Sequence, residues 1–197
     1  SDSPVSCAIV DVTVTGTNAS LSQLDELAQL AEAQTVPLVV DPTMAQRLIG
    51  SFFGAASGRA VYRKSSFLVG KLGEAIASPL VSIIDDATLA DGPSCRPFDA
   101  EGVRSSSVPF IEKGVLKSYL CDSYSSRRLK MPLTGTTNRG YQGGPNVGAS
   151  NLFLVAGDKD PKDIIKSVKS GLYLRTMSAQ GFNPVTGDFS HGATGNW

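Results

Sequence analysis

The stretch Val108-Pro-Phe-Ile-Glu-Lys-Gly-Val-Leu-Lys-Ser-Tyr-Leu120 decides the fold class. Two runs rich in β-branched and aromatic residues flank Lys113-Gly114, a pair suited to a tight reversal, so the segment predicts a β-hairpin. Upstream, residues 81–84 form another short apolar run, and downstream Asn151-Leu-Phe-Leu-Val-Ala156 forms a third. Turn residues separate all of them, which predicts a sheet of short strands from about Leu80 onward. Helical signals lie between: residues 123–130 read as a short basic helix, and Asp160-Pro161 starts a second, with Ile164, Ile165 and Val168 on one face and Gly171 as its stop. Residues 173–177 are a further strand candidate, and Asn183-Pro-Val-Thr-Gly-Asp-Phe-Ser190 reads as a tight hairpin. The final Trp197, directly after Ala193-Thr-Gly-Asn196, reads as a cut through a strand.

Toward the N-terminus the pattern changes. Residues 7–14 have the β-branched richness of a strand, and residues 36–40 form a short buried one. Between them Leu21, Leu24, Leu27 and Leu30, with Ala28 and Ala31 beside them, recur at helical spacing and predict an amphipathic helix over residues 20–34. Asp41-Pro42 is a cap followed by proline at the first helical position, so a second helix is expected over residues 42–56. It carries Met44, Leu48, Ile49, Phe52 and Phe53. Gly50, Gly54 and Gly58 weaken it but allow another backbone to come close. The expected class is α+β: an α/β segment over residues 1–56, the tail of a truncated domain, followed over 57–197 by a β-rich domain of short mixed strands with flanking helices.

Composition narrows the function. Lysine and arginine number 18 against 18 aspartates and glutamates, so no basic field exists to hold a phosphate backbone and direct nucleic-acid binding is not expected. No apolar run approaches the roughly 20 residues that span a bilayer, so no membrane partner is expected. Ser1-Asp-Ser-Pro4 has neither a basic region nor a hydrophobic signal core, which makes a cytoplasmic location the default. Cys7, Cys95 and Cys121 are odd in number and widely spaced, and read as reduced, buried, small apolar side chains. There is one histidine, His191, in a turn-rich context with no nucleophile elbow. Three or four zinc ligands at short spacing are not to be found, so no metal site is assigned and no residue is called catalytic. An enzyme in its own right would have to pair His191 with Cys121 or a serine.

Three other groups of residues invite a chemical reading. The glycine-rich stretch from Gly135 to Gly148 reads as a loop. It lacks both phosphate-binding glycine patterns and leads into a strand instead of a helix, so it reads either as a plain surface loop or as a peptide-cleft lining with Asn138, Arg139 and Tyr141 as ligand contacts. Asp99 and Glu101 share one face if their segment is extended, as a carboxylate pair or, more simply, as an ion-pair network with nearby arginines. Arg59, Arg63 and Lys64 form one local basic patch and Arg127, Arg128 and Lys130 another, both read as solvated faces that could dock an acidic partner.

The ordered series Ser57-Gly-Arg-Ala-Val-Tyr-Arg-Lys-Ser-Ser-Phe-Leu68, Pro97-Phe-Asp-Ala-Glu-Gly-Val103, Ile111-Glu-Lys-Gly-Val-Leu-Lys-Ser-Tyr119, Ser123-Tyr-Ser-Ser-Arg127 and Asn183-Pro-Val-Thr-Gly-Asp-Phe-Ser190 resembles the TldD/PmbA family, also labelled modulator of DNA gyrase. The resemblance covers roughly residues 36–197. It implies membership in a metallopeptidase family whose two related subunits form a cytoplasmic peptidase that degrades or matures unfolded peptides. One subunit type carries the zinc helix HExxxH. This chain reads Leu48-Ile-Gly-Ser-Phe-Phe-Gly54 where that helix should fall, and residues 43–71 contain neither histidine nor glutamate. It therefore resembles the other type, PmbA or TldE. The resemblance implies a subunit inactive alone, with zinc in a TldD-like partner of a heterodimer, or self-association as a homodimer, and an unfolded peptide as substrate. It also implies that both ends are truncated. The alternative expectation is a binding or regulatory protein of a gyrase or toxin-antitoxin system that acts without proteolysis.

Overall fold

The computed structural model describes residues 8–14, 34–177 and 181–196. The expected helix over residues 20–34 lies outside them except for Gln34, which opens a strand. The described elements run β1 (Ala8–Val14), β2 (Gln34–Val40), α1 (Pro42–Ala55), α2 (Gly58–Tyr62), β3 (Ile83–Asp86), β4 (Ser107–Glu112), β5 (Val115–Leu116), α3 (Ser123–Leu129), β6 (Thr137–Arg139), β7 (Pro145–Val147), β8 (Leu152–Leu154), α4 (Pro161–Ser167), β9 (Leu172–Met177) and β10 (Ala193–Asn196). Helices and strands mix without regular alternation, which is the α+β class.

The chain forms two compact units, interleaved in sequence. The first takes described residues from Ser1–Ala45, Asp158–Ser178 and Gly192–Trp197, and the second takes Gln46–Gly157 with those of Ala179–His191. This differs from a division after residue 56, because strands near the C-terminus return to pair with the N-terminal sheet.

In the first unit the sheet order is β1-β2-β9-β10. Strands β1 and β2 are antiparallel from Ala8 opposite Val40 to Val14 opposite Gln34, and β2 is parallel to β9 with Leu38 opposite Leu172. A parallel pair needs a long crossover, and β2 and β9 are far apart in sequence. Val36, Leu38, Val39, Val40 and Leu174 are buried. The Asp41 carboxylate accepts the Thr43 amide at 3.0 Å and the Tyr173 hydroxyl at 3.1 Å, and Pro42 opens α1 behind it. Helix α4 starts the same way, its Asp160 carboxylate accepting the Lys162 amide at 2.7 Å. It buries no residue and ends at Ser167, before the expected stop at Gly171.

In the second unit the sheet order is β5-β4-β3-β8, antiparallel throughout. The expected hairpin is β4 and β5, with Ile111 opposite Leu116, although β5 spans only two residues. Lys113 and Gly114 both have positive φ, 47° and 80°, as the tight turn demands. A Cβ on Gly114 would lie 2.3 Å from the Ala77 carbonyl oxygen, so only glycine fits there. Phe110, Ile111, Leu116, Leu120, Leu68 and Phe53 form the core, and Phe53 meets Phe110 edge-on with centroids 5.9 Å apart. The 183–190 segment is a turn closed by a single bridge between Phe182 and Phe189, without paired strands. Phe182 packs with Phe52 and Phe67.

Two further sequence expectations change. The 135–148 stretch is not a featureless loop: β6 and β7 pair antiparallel, with Asn138 opposite Asn146. Polar strands of three residues carry no apolar alternation, so the hairpin left no periodic trace. Cys95 is exposed, whereas Cys121 is buried, and both are free thiols. Cys7 lies outside the described residues.

Candidate functional site

The polar framework of the second unit gathers around α3 and the β6–β7 hairpin. Asp122, with no exposed side-chain surface, caps α3: its Oδ1 accepts the Ser125 amide at 2.8 Å and the Ser125 hydroxyl at 2.6 Å. Its Oδ2 accepts Arg59 Nε at 2.5 Å, from a residue 63 positions away. Burial pushes the Asp122 pKa up, but the Ser125 hydroxyl and amide and the Arg59 guanidinium outweigh it and hold the carboxyl below its ordinary value. Helix α2 can reach α3 because residue 58 is glycine: a Cβ there would lie 2.6 Å from Ser125 Oγ and 2.9 Å from Cys121 Sγ. Gly50 and Gly54 have nothing within 4 Å of such a Cβ, so the close approach foreseen from the glycine spacing occurs at Gly58.

Asp99 and Glu101 bind different groups, and neither forms an ion pair among the described residues. Asp99 sits in a turn, its Oδ1 accepting the amides of Glu101 and Val103 at 2.9 Å each. Its Oδ2 accepts the Thr137 amide and hydroxyl. Burial raises the Asp99 pKa, and these donors, Thr137 foremost, bring it below the ordinary value. Glu101 accepts the Ser123 amide and hydroxyl at 2.7 Å each, at the start of α3. The chain turns at residues 98–104, so the two carboxylates serve different segments.

The same donors and acceptors hold the hairpin. Asp99 grips Thr137 in β6, Arg59 Nη2 donates to the Pro145 carbonyl in β7 at 3.1 Å, and Arg96 donates to the Asn138 side chain. Asn138 Nδ2 in turn donates to the Ala149 carbonyl at 2.9 Å. Asn138 therefore braces the hairpin base. Arg139 is exposed and donates to the Gly143 carbonyl at 3.1 Å, and Tyr141 at the tip is fully exposed. Of the three cleft candidates, Asn138 and Arg139 are hydrogen-bonded at the hairpin and Tyr141 is exposed at its tip.

The buried Cys121 thiol is pushed above its ordinary pKa by burial, with Asp122 adding to the effect against a hydrogen bond with Ser125. His191 lies against Phe189, ring centroids 4.2 Å apart. Among the described residues no three of His, Cys, Asp and Glu are grouped to hold a metal ion. No helix among them is long and apolar enough to cross a membrane. What this framework offers chemically is a rigid set of hydrogen-bonding and cationic groups around an exposed hairpin tip.

The model of the PmbA/TldA metallopeptidase C-terminal domain matches residues 33–197. The chain belongs to the PmbA/TldD family. It is 33% identical over 162 residues to the metalloprotease PmbA of Escherichia coli O157:H7, covering 82% of this chain and 34% of that protein. A crystal structure from Bacteroides thetaiotaomicron, described as a modulator of DNA gyrase, is 32% identical with a TM-score of 0.70 over 80% of this chain and 34% of its own. TldE from Thermococcus kodakarensis is 27% identical with a TM-score of 0.67, over 74% of this chain and 33% of its own. The chain thus spans about a third of the length of these relatives.

The sequence reading missed Asp122, Arg96 and Thr137 as organising residues, and it took Arg59 for a solvated cation. Asp122 alone carried a local signal: an aspartate directly before a helix, three residues ahead of a serine, is a cap pattern.

Proposed function

We propose that this PmbA/TldD-family chain is a non-catalytic, TldE-like part of a cytoplasmic metallopeptidase complex that degrades or matures unfolded peptides. The observation that carries the reading is α1: the helix forms over residues 42–55 where the family's zinc helix is expected, yet residues 43–71 contain no histidine or glutamate. A zinc-activated water has no ligand and no general base to depend on there. Zinc and the cleaving groups are assigned to a TldD-like partner.

In this reading the chain helps shape the peptide cleft. Peptide lies as an added strand along a sheet edge, where main-chain hydrogen bonds accept varied sequences, and Arg139 and Tyr141 reach it from the hairpin tip. The test is reconstitution: a HExxxH-bearing homologue is assayed on an unfolded peptide with and without this chain. Cleavage that depends on both supports the reading. Equal cleavage by the homologue alone removes it.

A further inference from the structure

The two basic patches, in residues 57–64 and 123–130, meet on one surface of the second unit. Arg128 bridges them, its guanidinium carbon 5.5 Å from the Tyr62 ring centroid and 5.4 Å from that of Tyr124. The rings themselves meet edge-on with centroids 6.0 Å apart. Beside them Arg59, Arg63 and Tyr124 line a shallow recess of about 240 Å³.

The cations here are unequal. Arg59 is held by Asp122 and the Pro145 carbonyl, and Arg128 is spread over two aromatic faces. Arg63, one helical turn from Arg59 and exposed, has no carboxylate partner among the described residues. Neither 57–64 nor 123–130 contains an acidic residue, although the whole chain is formally neutral. Of the carboxylates at the junction among the described residues, Asp122 is buried and paired with Arg59, and Glu101 accepts from Ser123 at the start of α3. The surface therefore presents one guanidinium, Arg63, with no carboxylate partner among the described residues, at a side-chain-sized hollow.

We propose that the Arg59, Arg63 and Tyr124 recess docks an acidic peptide segment, a glutamate- or aspartate-bearing stretch whose carboxylate pairs with Arg63. A guanidinium fork matches a carboxylate geometrically, and the Tyr124 ring supplies the apolar wall for the side-chain methylenes. Charge complementarity selects the occupant, and the hollow suits one side chain at a time. A nucleic acid fits less well: Arg128 lies over one face of Tyr62 and one of Tyr124, leaving fewer faces on which bases would stack. The inference concerns binding alone and stands whether or not a catalytic partner joins the chain.

The test uses the whole chain with a labelled glutamate-rich Gly/Ser peptide, the same peptide with every glutamate replaced by glutamine, and a single-stranded oligonucleotide. Binding is followed by fluorescence anisotropy at low and moderate salt. The acidic peptide is expected to bind, to weaken with salt, and to bind Arg63→Glu at least about tenfold more weakly, the weight of one charge-assisted pair. Lys162→Glu, in exposed α4, is expected to leave its affinity unchanged. Should Arg63→Glu lose its far-UV spectrum, Arg63→Gln carries the same test. Equal binding of the glutamine peptide, unaltered affinity in the Arg63 variants, or tighter binding of the oligonucleotide through Arg63 overturns the proposal.

Discussion

Asp122 and Asp85 are both buried carboxylates in the second unit, 0% and 1% exposed, yet their surroundings push them in opposite directions. Asp122 uses both oxygens: two donors from Ser125 and one from Arg59. Asp85 uses one, its Oδ1 taking the Ser150 amide and hydroxyl at 2.8 and 2.9 Å, while Oδ2 is buried with no hydrogen-bond partner among the described residues. For Asp85, burial outweighs the Ser150 bonds and the more distant Arg96, and the pKa is raised. Burial alone thus does not decide whether a carboxylate stabilises a fold. A direct counterion and the number of donors do.

The comparison would break first at Asp122. Asp122→Ala removes a helix cap and a buried ion-pair partner, and we expect a loss of about 2–4 kcal/mol of stability by urea denaturation. Because the folded pKa is lowered, this contribution is present above the unfolded value near 4 and disappears as pH falls through the folded value. Asp122→Asn should therefore cost more at pH 7 than at pH 3 or so. A loss independent of pH would mean that shape, not charge, matters at this junction.

Gly58→Ala sharpens the same point through geometry. The new methyl group must push Ser125 or Cys121 aside, and we expect a loss of about 1–2 kcal/mol, overpacking exceeding the gain in helix propensity. An unchanged midpoint would show that the contact between α2 and α3 yields easily. The smallest effect has the opposite sign. Asp85→Asn keeps an oxygen to accept from Ser150 and removes a charge that burial disfavours, so we expect a gain of up to about 1 kcal/mol at pH 7. Asp85 has a raised folded pKa, so its favourable contribution is present below the unfolded value and is lost as pH rises through the folded value. The benefit of the substitution should accordingly vanish in acid. Destabilisation at pH 7 would show that Arg96 compensates Asp85 fully.

These carboxylates also mark where sequence reading succeeds and stops. The β4–β5 hairpin, α1 and the starts of α3 and α4 were legible because each is specified by neighbours: a Lys-Gly turn, an aspartate-proline cap, a short apolar run. The β6–β7 hairpin was not, since its hold comes from Asp99, Arg96 and Arg59, which are remote from it in the chain. The pairing of Arg59 with Asp122 across 63 residues is invisible to any local window, and a cation read alone looks solvated. The return of β9 to lie beside β2 is equally non-local, which is why the units interleave. Family membership was legible from the order of motifs.

We propose that this metallopeptidase-family chain supplies no metal site of its own. Zinc per chain, measured on purified protein after removal of loosely held metal and re-addition of zinc, tests it most directly. The account expects well under one equivalent to remain bound. One tightly held equivalent, lost on substitution of His191 or a cysteine, would contradict it.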